Sequence, residues 1–421
     1  MLHLFSSQYS TISTHRNPCL NSERWRSPTF MKNAINVICL AILLYVLLVR
    51  LYILERSLHQ GTPGQLRMVR LADTVDIAII LSGANQEYQL MNFLKNLLYY
   101  QGRFNSSSQE CKLNYTVQRD YVCPKQLTAL YNPLNIHLIL DSLGMDFILN
   151  VIHTWRIRDV EFIFYHFDSL MRYVQAIPDV HMAGIAALAK IAVPEVITSG
   201  VNKVILLDSD MLFSENINVL WKEFENFNEN QIFGGALVQN DVYAAHLQSI
   251  DWPLYKRGIN TGVLLIHLQK LEKVSWHRMW MDTIQDLLKR TKNLKAADQD
   301  IYNAIFGIHP ELFYQLPCTW NVQVIRHANI NHCPVSWPVR YFDEQRCSDT
   351  NQSSLQDQEP SQQTVNLVHF CGDGKPVPDA PYSPENFTFI PTLRTYNITE
   401  LRETFYRIYY AFNNVSLNCF V

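Results

Sequence analysis

The sequence predicts an α/β protein with a mostly parallel, Rossmann-like sheet, and three observations carry that expectation. Residues 75–81 (Val-Asp-Ile-Ala-Ile-Ile-Leu) break into Ser82-Gly83-Ala84-Asn85 and resume as a helical pattern from Tyr88 to Tyr100. That is the strand, small-residue turn and helix that open a nucleotide-binding fold. Strand and helix patterns then alternate as far as Ile197, as the crossovers of a parallel sheet require. Finally, Val204-Ile205-Leu206-Leu207 is apolar throughout, the pattern of a strand buried on both faces, and it runs straight into Asp208-Ser209-Asp210.

The elements between and after these follow in order. Ile136–Leu140 reads as a second strand ending at Asp141, Met145–Thr154 as a helix, Glu161–Phe167 as a third strand, and Ala183–Ile197 as a helix carrying Lys190. Beyond Asp210, Asn260-Thr261-Gly262 reads as a loop before the strand Val263–Leu268. A helix over Val274–Lys289 leads to Asp298-Gln299, which opens another helix through Phe306. Val365–Val368 is a short strand that precedes His369-Phe370-Cys371-Gly372-Asp373-Gly374-Lys375-Pro376. The polar stretches near 101–126 and 334–364 read as surface insertions.

At 421 residues and 48% hydrophobic composition the chain can bury a large core, and a net charge of -3 argues against nucleic acid as a partner. Ala34–Val49 holds no charged residue, and the apolar run continues past Arg50 to Leu54. About 21 residues of this kind suffice to span a bilayer. The expected organisation is a cytoplasmic tail (1–33), a signal-anchor transmembrane helix (34–54), a stem with Gly61, Pro63 and Gly64 (55–73), and a folded domain (74–421). Glycosylation sequons at Asn105, Asn114, Asn351, Asn386, Asn397 and Asn414 all follow the span, as do Cys111, Cys123, Cys318, Cys333, Cys347, Cys371 and Cys419. The expectation is a single-pass type II membrane protein of the Golgi with a lumenal domain, in a compartment that permits disulfides. Cys111 with Cys123 and Cys318 with Cys333 are the sequence-local pairs, though spacing leaves the connectivity open.

Two carboxylates two residues apart on an extended chain project to one side, and the carboxyl end of a parallel strand is where open α/β sheets bind ligands. Asp208 and Asp210 are therefore a hard-oxygen site for Mg²⁺ or Mn²⁺, able to hold a diphosphate. Other residues admit a structural and a functional reading. Lys190 is a solvated helix residue or reaches donor phosphate. Asp298 caps its helix, as aspartate does well, or binds substrate. Asn260 steadies a turn or bonds a hydroxyl. Ser82, Gly83 and Asn85 are turn residues or seat a nucleoside.

The ordered set of an Asp-x-Asp after a buried strand, an Asn-x-Gly, an acid-Gln pair opening a helix and a late His-x-x-Gly-x-x-Lys-Pro resembles the family 8 glycosyltransferases. Asp298-Gln299-Asp300-Ile301-Tyr302-Asn303-Ala304, Tyr314–Gln323 and Leu138–Ser142 look like the xylosyltransferase domain of the LARGE-type bifunctional enzymes. The resemblance implies a GT-A fold, a retaining transfer and a Mn²⁺-bound nucleotide sugar, with UDP-xylose the favoured donor, UDP-glucose or UDP-galactose the alternatives, and a glycan or glycoprotein as acceptor. It implies Asp208, Asp210 and His369 as metal ligands. Lys375, with Ser209 and Gly372 near it in those motifs, would meet the donor diphosphate, and Ser82, Gly83 and Asn85 the uridine. Asp298 would bind donor-sugar hydroxyls, and Gln299 and Asn260 would complete the catalytic set. A homodimer is a further expectation. An amide at Gln299 is a poor nucleophile, so a same-face attack fits better than the double displacement of retaining glycosidases. The chain departs from the LARGE type in its two insertions, in the form of its His369 motif and in having no second, glucuronyl-transferring domain before Val421. The rivals are a haloacid-dehalogenase-type phosphatase, which Leu212 and the three preceding strands disfavour, and a non-catalytic lumenal binding protein on the same fold.

Overall fold

The computed structural model describes residues 74–421 apart from 84–85, 106–109, 112, 114–131, 156, 179–183, 198–199, 292, 337–362 and 377–397. The chain divides into two units, 1–70 and 71–421, and every described residue belongs to the second. The tail, transmembrane helix and stem expected from the sequence lie outside the described residues. So do Asn85, Cys123, Cys347 and the sequons at Asn114, Asn351, Asn386 and Asn397. Among the described residues no helix is long and apolar enough to cross a membrane.

Strands β1 (Val75–Leu81), β2 (Leu134–Leu140), β3 (Val160–His166), β4 (Val204–Leu207), β5 (Met211–Phe213), β6 (Phe233–Leu237), β7 (Ile259–Ile266) and β8 (Phe313–Gln315) are followed by β9 (Val322–Val324), the two-residue pair β10 (Val335–Ser336) and β11 (Gln363–Thr364), and β12 (Leu367–Phe370). Seven of them form one sheet in the order β3-β2-β1-β4-β7-β6-β8. Neighbours from β3 to β4 are parallel, as is the β6–β8 pair, while β7 runs antiparallel to both its neighbours. A second sheet, β5-β12-β9, stands beside the carboxyl end of β4.

Both faces of the large sheet are covered, and this is why β4 is apolar at every position. Ile205 and Leu207 join one core with helices α1 (Gln86–Tyr100) and α6 (Ile398–Asn413). Val204 and Leu206 join the other core with α3 (Gly184–Leu188), α4 (Trp276–Thr291) and α5 (Asp298–Ile308). Helix α2 (Ser142–Thr154) follows β2, capped by the Asp141 carboxylate, which accepts from the Gly144 amide at 2.9 Å.

Helix α1 does more than fill the core. The Asn96 amide, itself buried, donates to the Phe213 carbonyl at 3.3 Å and accepts from the Phe213 N–H, so a side chain pairs the outer edge of β5 where a strand would otherwise be needed. Asn92 donates to the Tyr409 carbonyl at 2.7 Å, and Lys95 reaches the Phe412 and Asn413 carbonyls at the end of α6. A cation there satisfies carbonyls that the helix leaves unpaired, although burial lowers the Lys95 ammonium to about 8.

Several expectations are corrected. Asn260-Thr261-Gly262 is not a loop before a strand but part of β7, because β6 takes up Ile259 and Asn260 in its ladder. The single helix expected over 183–197 is a short helix, a 3₁₀ turn (Ala189–Ala192) and a further turn (Val193–Val196). Pro194 supplies no N–H to the Lys190 carbonyl, so a regular helix cannot continue there. The strand expected at 365–368 is β12, two residues later, and His369 lies within it rather than after it. Cys111 pairs with Cys419, not Cys123. The Val421 N–H donates to the Arg103 carbonyl at 2.9 Å and the Asn105 N–H to the Cys419 carbonyl at 2.7 Å, which lays the C-terminal segment against the residues after α1. Cys318–Cys333 forms as expected, and Cys371 is free and buried.

Asn96→Ala removes both partners of the Phe213 backbone in a dry place. We expect a loss of about 2–6 kcal/mol in unfolding free energy, from about 1–3 kcal/mol for each of the two buried groups left unsatisfied, measured by denaturant titration of the full chain. A loss below about 0.5 kcal/mol would show that β5 does not depend on this side chain.

Candidate active site

The chain lays β1, β2 and β3 outward in one direction and then returns to set β4 on the other side of β1. The crevice at that reversal, outside the carboxyl ends of β1 and β4, is the ligand position of open α/β sheets. Asp208 emerges there, its N–H still bonded to the Gly262 carbonyl at 3.0 Å. The chain then turns into β5, and β12 pairs antiparallel with it, setting His369 opposite Met211. The Phe370 N–H donates to the Asp210 carbonyl at 2.9 Å. Strand pairing therefore brings together residues far apart in sequence. Gly262 makes room for the imidazole: a Cβ there would lie 2.0 Å from His369 Cε1.

One ligand atom each of Asp208, Asp210 and His369 lie within 4.8 Å of one another. His369 Nε2 is 3.4 Å from Asp208 Oδ2 and 3.4 Å from Asp210 Oδ1. Lys190 Nζ sits 2.6 Å from Asp208 Oδ1, and Lys375 Nζ 2.9 Å from Asp210 Oδ2. Burial alone would raise both carboxyls. For Asp208 the charges of Lys190 and His369 win, and for Asp210 those of Lys375 and His369, so both are held below the usual carboxylate range. Burial opposes the charge on Lys190, but Asp208 and Asp298 hold the ammonium above its ordinary value. Both carboxylate oxygens of Asp210 are buried and receive no aligned hydrogen bond. A buried carboxylate in that state is stabilised by a cation, and two oxygens with an imidazole nitrogen make a donor set that a divalent ion of the Mn²⁺ or Mg²⁺ type accepts. The residues fit a metal.

Behind the trio lies a run of amides. The Asn260 side chain donates to Gln299 Oε1 at 3.1 Å, and the Thr261 N–H donates to the same oxygen at 3.3 Å. Close by, the Tyr243 hydroxyl donates to Asp300 Oδ1 at 2.7 Å. The N-cap position of α5 is Ala297, with φ 51° and no side-chain cap. Asp300 holds that turn, accepting from the Lys295 and Ala296 amides at 2.6 and 2.9 Å. The capping reading of Asp298 is thereby replaced. Asp298 is buried, its Oδ2 has no hydrogen-bond partner, and burial pushes its carboxyl up to about 7 against the pull of Lys190.

The remaining expected residues fall into two groups. Gly372, with φ 51°, starts the turn that aims Lys375 at Asp210, and Gly374 allows the close approach of Val324, since a Cβ there would lie 2.0 Å from the Val324 carbonyl oxygen. Ser209 is buried between the two acids. Ser82 and Gly83 stand one strand over, at the end of β1, where the Gly83 N–H donates to Asp141 Oδ2 at 2.8 Å. Asn85 lies outside the described residues. Sequence reasoning assigned no role to Asn321, Gln239 or Gln323. Asn321 Oδ1 is 3.2 Å from His369 Nδ1. Gln239 and Gln323 each accept from the other's backbone N–H at 2.9 Å, and Gln239 holds the Asn321 carbonyl at 2.9 Å. The available signal was Asn321-Val322-Gln323, a buried polar residue just before the short strand β9 and another within it.

The raised Asp298 carboxyl makes a pH prediction for metal-free protein. Its ordinary value is 3.8 and its folded value about 7, so between them the folded state holds a proton that the unfolded chain releases. The stabilisation is complete below pH 3.8 and lost as pH rises through 7. The melting temperature of Asp298→Asn should therefore climb relative to the wild type over that interval and level off above it. A difference independent of pH would rule out the shift.

The protein-family model described as glycosyl transferase family 8 matches residues 139–376. The xylosyl- and glucuronyltransferase LARGE2s of Gallus gallus is 32% identical over 281 residues, which is 66% of this chain and 34% of that protein. The xylosyl- and glucuronyltransferase LARGE1 of Homo sapiens is 32% identical over 272 residues, covering 64% and 32% respectively. The chain thus spans about a third of the length of these curated relatives. Among solved structures, apo mouse xyloside xylosyltransferase 1 aligns with a TM-score of 0.49 and 17% identity over 72% of this chain and 100% of that one. The galactosyltransferase LgtC with donor and acceptor sugar analogs aligns with a TM-score of 0.45 and 16% identity over 79% and 96%. With a family model matched over more than half of its length, the chain belongs to glycosyl transferase family 8 and is related to the LARGE xylosyl- and glucuronyltransferases.

Proposed function

We propose that this protein is a retaining, Mn²⁺-dependent glycosyltransferase that moves xylose from UDP-xylose to a glycan or glycoprotein acceptor. The observation that carries the reading is the trio Asp208, Asp210 and His369, flanked by two lysines at the mouth of a nucleotide-type fold. A divalent ion held by the trio would supply Lewis-acid stabilisation of the charge that develops on the leaving diphosphate. Lys375, half-exposed beside Asp210, is placed to add charge on the same phosphate oxygens. Lys190 neutralises Asp208 from the opposite side and lies near Asp298, where donor-sugar hydroxyls would bind.

Retention is taken from the family resemblance, and Gln299 bears only on its route. Its Oε1 already accepts from Thr261 and Asn260, and an amide is neither a nucleophile nor a base. Its role is to hold Asn260 and the β7 backbone in place beneath the sugar. The acceptor hydroxyl then attacks from the face the diphosphate leaves, and a leaving phosphate oxygen takes its proton. Xylose is favoured by the names of the relatives; UDP-glucose and UDP-galactose are the competing donors.

The proposed setting is the Golgi membrane, with residues 34–54 as a type II anchor. Supporting it are the sequons after that span, of which Asn105 and Asn414 are exposed, and the disulfides Cys111–Cys419 and Cys318–Cys333. A homodimer, the further expectation, finds no support in the described residues.

The test is a donor screen. The full chain in detergent, supplied with Mn²⁺ and a panel of UDP-sugars, should release UDP fastest from UDP-xylose, lose that activity with a chelator and regain it with Mn²⁺. Asp208→Ala and Asp210→Ala should each lose roughly 10²–10³-fold, the equivalent of several kcal/mol of charge stabilisation. No release from any donor, or full activity in both variants, would remove the enzymatic reading. Another donor preferred over UDP-xylose would reassign the sugar. Unchanged gel mobility after N-glycosidase treatment of the protein from a eukaryotic host would count against the lumenal placement.

A further inference from the structure

We propose that Asn321 is a positioning residue that makes Nδ1 the hydrogen-bearing nitrogen of the His369 ring and thereby turns Nε2 toward the two carboxylates. The inference rests on the metal reading above for its consequence.

Two backbone donors set the direction of the network. The N–H groups of Thr261 and Gly262 can only donate, and they meet Gln299 Oε1 at 3.3 Å and Asn260 Oδ1 at 3.0 Å. Both side-chain atoms must therefore be carbonyl oxygens. The Asn260 amide nitrogen then faces Gln299 Oε1 at 3.1 Å, as it must. Asn321 comes next. Its Nδ2 donates to Asn260 Oδ1 at 2.8 Å, which leaves its own Oδ1 at 3.2 Å from His369 Nδ1. Asn260 Oδ1 lies 3.1 Å from the same ring nitrogen. Nδ1 thus faces two oxygens and no donor, and only an N–H satisfies that arrangement.

Of the two oxygens, that of Asn321 is the better placed to hold the ring. Asn260 Oδ1 has two lone pairs, and the Gly262 and Asn321 donors already occupy them. Asn321 Oδ1 has the ring as its partner. Asn321 is fully buried and His369 is 4% exposed, so water cannot stand in for either. The Asn321 backbone is fixed as well: Gln239 donates to its carbonyl at 2.9 Å, and its N–H reaches Cys318, a member of the Cys318–Cys333 disulfide, at 3.0 Å. On the far side of the ring, Nε2 sits 3.4 Å from a carboxylate oxygen of each acid. A ring free to turn over would aim the wrong nitrogen at the ion. Partners that orient a ligating histidine in this way are generally worth about 10–100-fold in metal affinity.

The experiment has two readouts. In the metal-free full chain labelled with ¹⁵N-histidine, a hydrogen-bonded Nδ1–H of His369, assigned by its absence in His369→Gln, should be visible in wild type and lost or exchange-broadened in Asn321→Leu. In the absence of nucleotide, Mn²⁺ affinity measured by electron paramagnetic resonance should fall about 10–100-fold in Asn321→Leu. Asn321→Asp, which keeps an acceptor against Nδ1, should recover most of both signals. A role in stability alone would lower the melting temperature and leave both readouts unmoved. A bare Nδ1 in wild type, or unchanged ring signals and affinity in Asn321→Leu, overturns the proposal. If that variant does not fold, the wild-type ring signals and the Asn321→Asp affinity still decide it. Wild type that binds no Mn²⁺ while its Nδ1–H depends on Asn321 would sink the metal reading and leave the positioning role intact.

Discussion

The burial of two carboxylates side by side is the constraint that the rest of the site answers. Carboxylates taken out of water repel one another and lose their hydration, and either they take up protons or the protein surrounds them with positive charge. Here it surrounds them. Lys190 comes from below on the 3₁₀ turn, Lys375 from a glycine turn after β12, and His369 from the strand laid against β5. Each of these depends on a specific concession in the backbone: the break at Pro194, the bare Cα of Gly262, and the contact of Gly374 with Val324. Asp208 and Asp210 stay ionised because three separate segments converge on them, and convergence of that kind prepares a place for a more concentrated positive charge.

Asp298 shows the opposite outcome in the same pocket. Lys190 is its nearest cation and is already paired to Asp208 at 2.6 Å, so the remaining pull does not offset burial and the carboxyl rises to about 7. Two acids that stay charged and one poised near neutrality are a division of labour familiar from sites that separate electrostatic work from proton-sensitive hydrogen bonding. A neutral or partly neutral Asp298 can donate as well as accept, which suits a group that meets sugar hydroxyls.

How far the sequence revealed this follows from range. The first four strands of the sheet were legible because each is a local apolar run with a turn signal at its end, and the ends matched the structure to within a few residues. Asp208 and Asp210 were legible for the same reason. Asn260-Thr261-Gly262 was misread because glycine in sequence suggests a turn, whereas this glycine serves the close approach of a ring from residue 369. The Cys419 partner of Cys111 was hidden by a separation of 308 residues. Asp298 as a helix cap was a sound local reading, and it failed because Asp300, two residues on, reaches back to the Lys295 and Ala296 amides. His369 was found only through the spacing of its whole motif. Asn321 had no local signature beyond a polar residue before an apolar strand.

The amides explain why this site is more than a list of ligands. From Gln299 through Asn260 and Asn321 to His369, each side chain is held by the one before it, and backbone donors of β7 fix the polarity of the links. Amides carry no charge to screen and cannot change protonation, so the chain transmits orientation without adding to the electrostatic load of the pocket. A carboxylate at Gln299 would keep the acceptor that the Asn260 amide and the Thr261 N–H require, but it would add a negative charge next in the chain to the buried Asp298. An amide there supplies the same acceptor without adding to the burial of charge that already raises the Asp298 carboxyl to about 7, which is a physical reason for Gln299 at a position where a double-displacement enzyme would need a carboxylate.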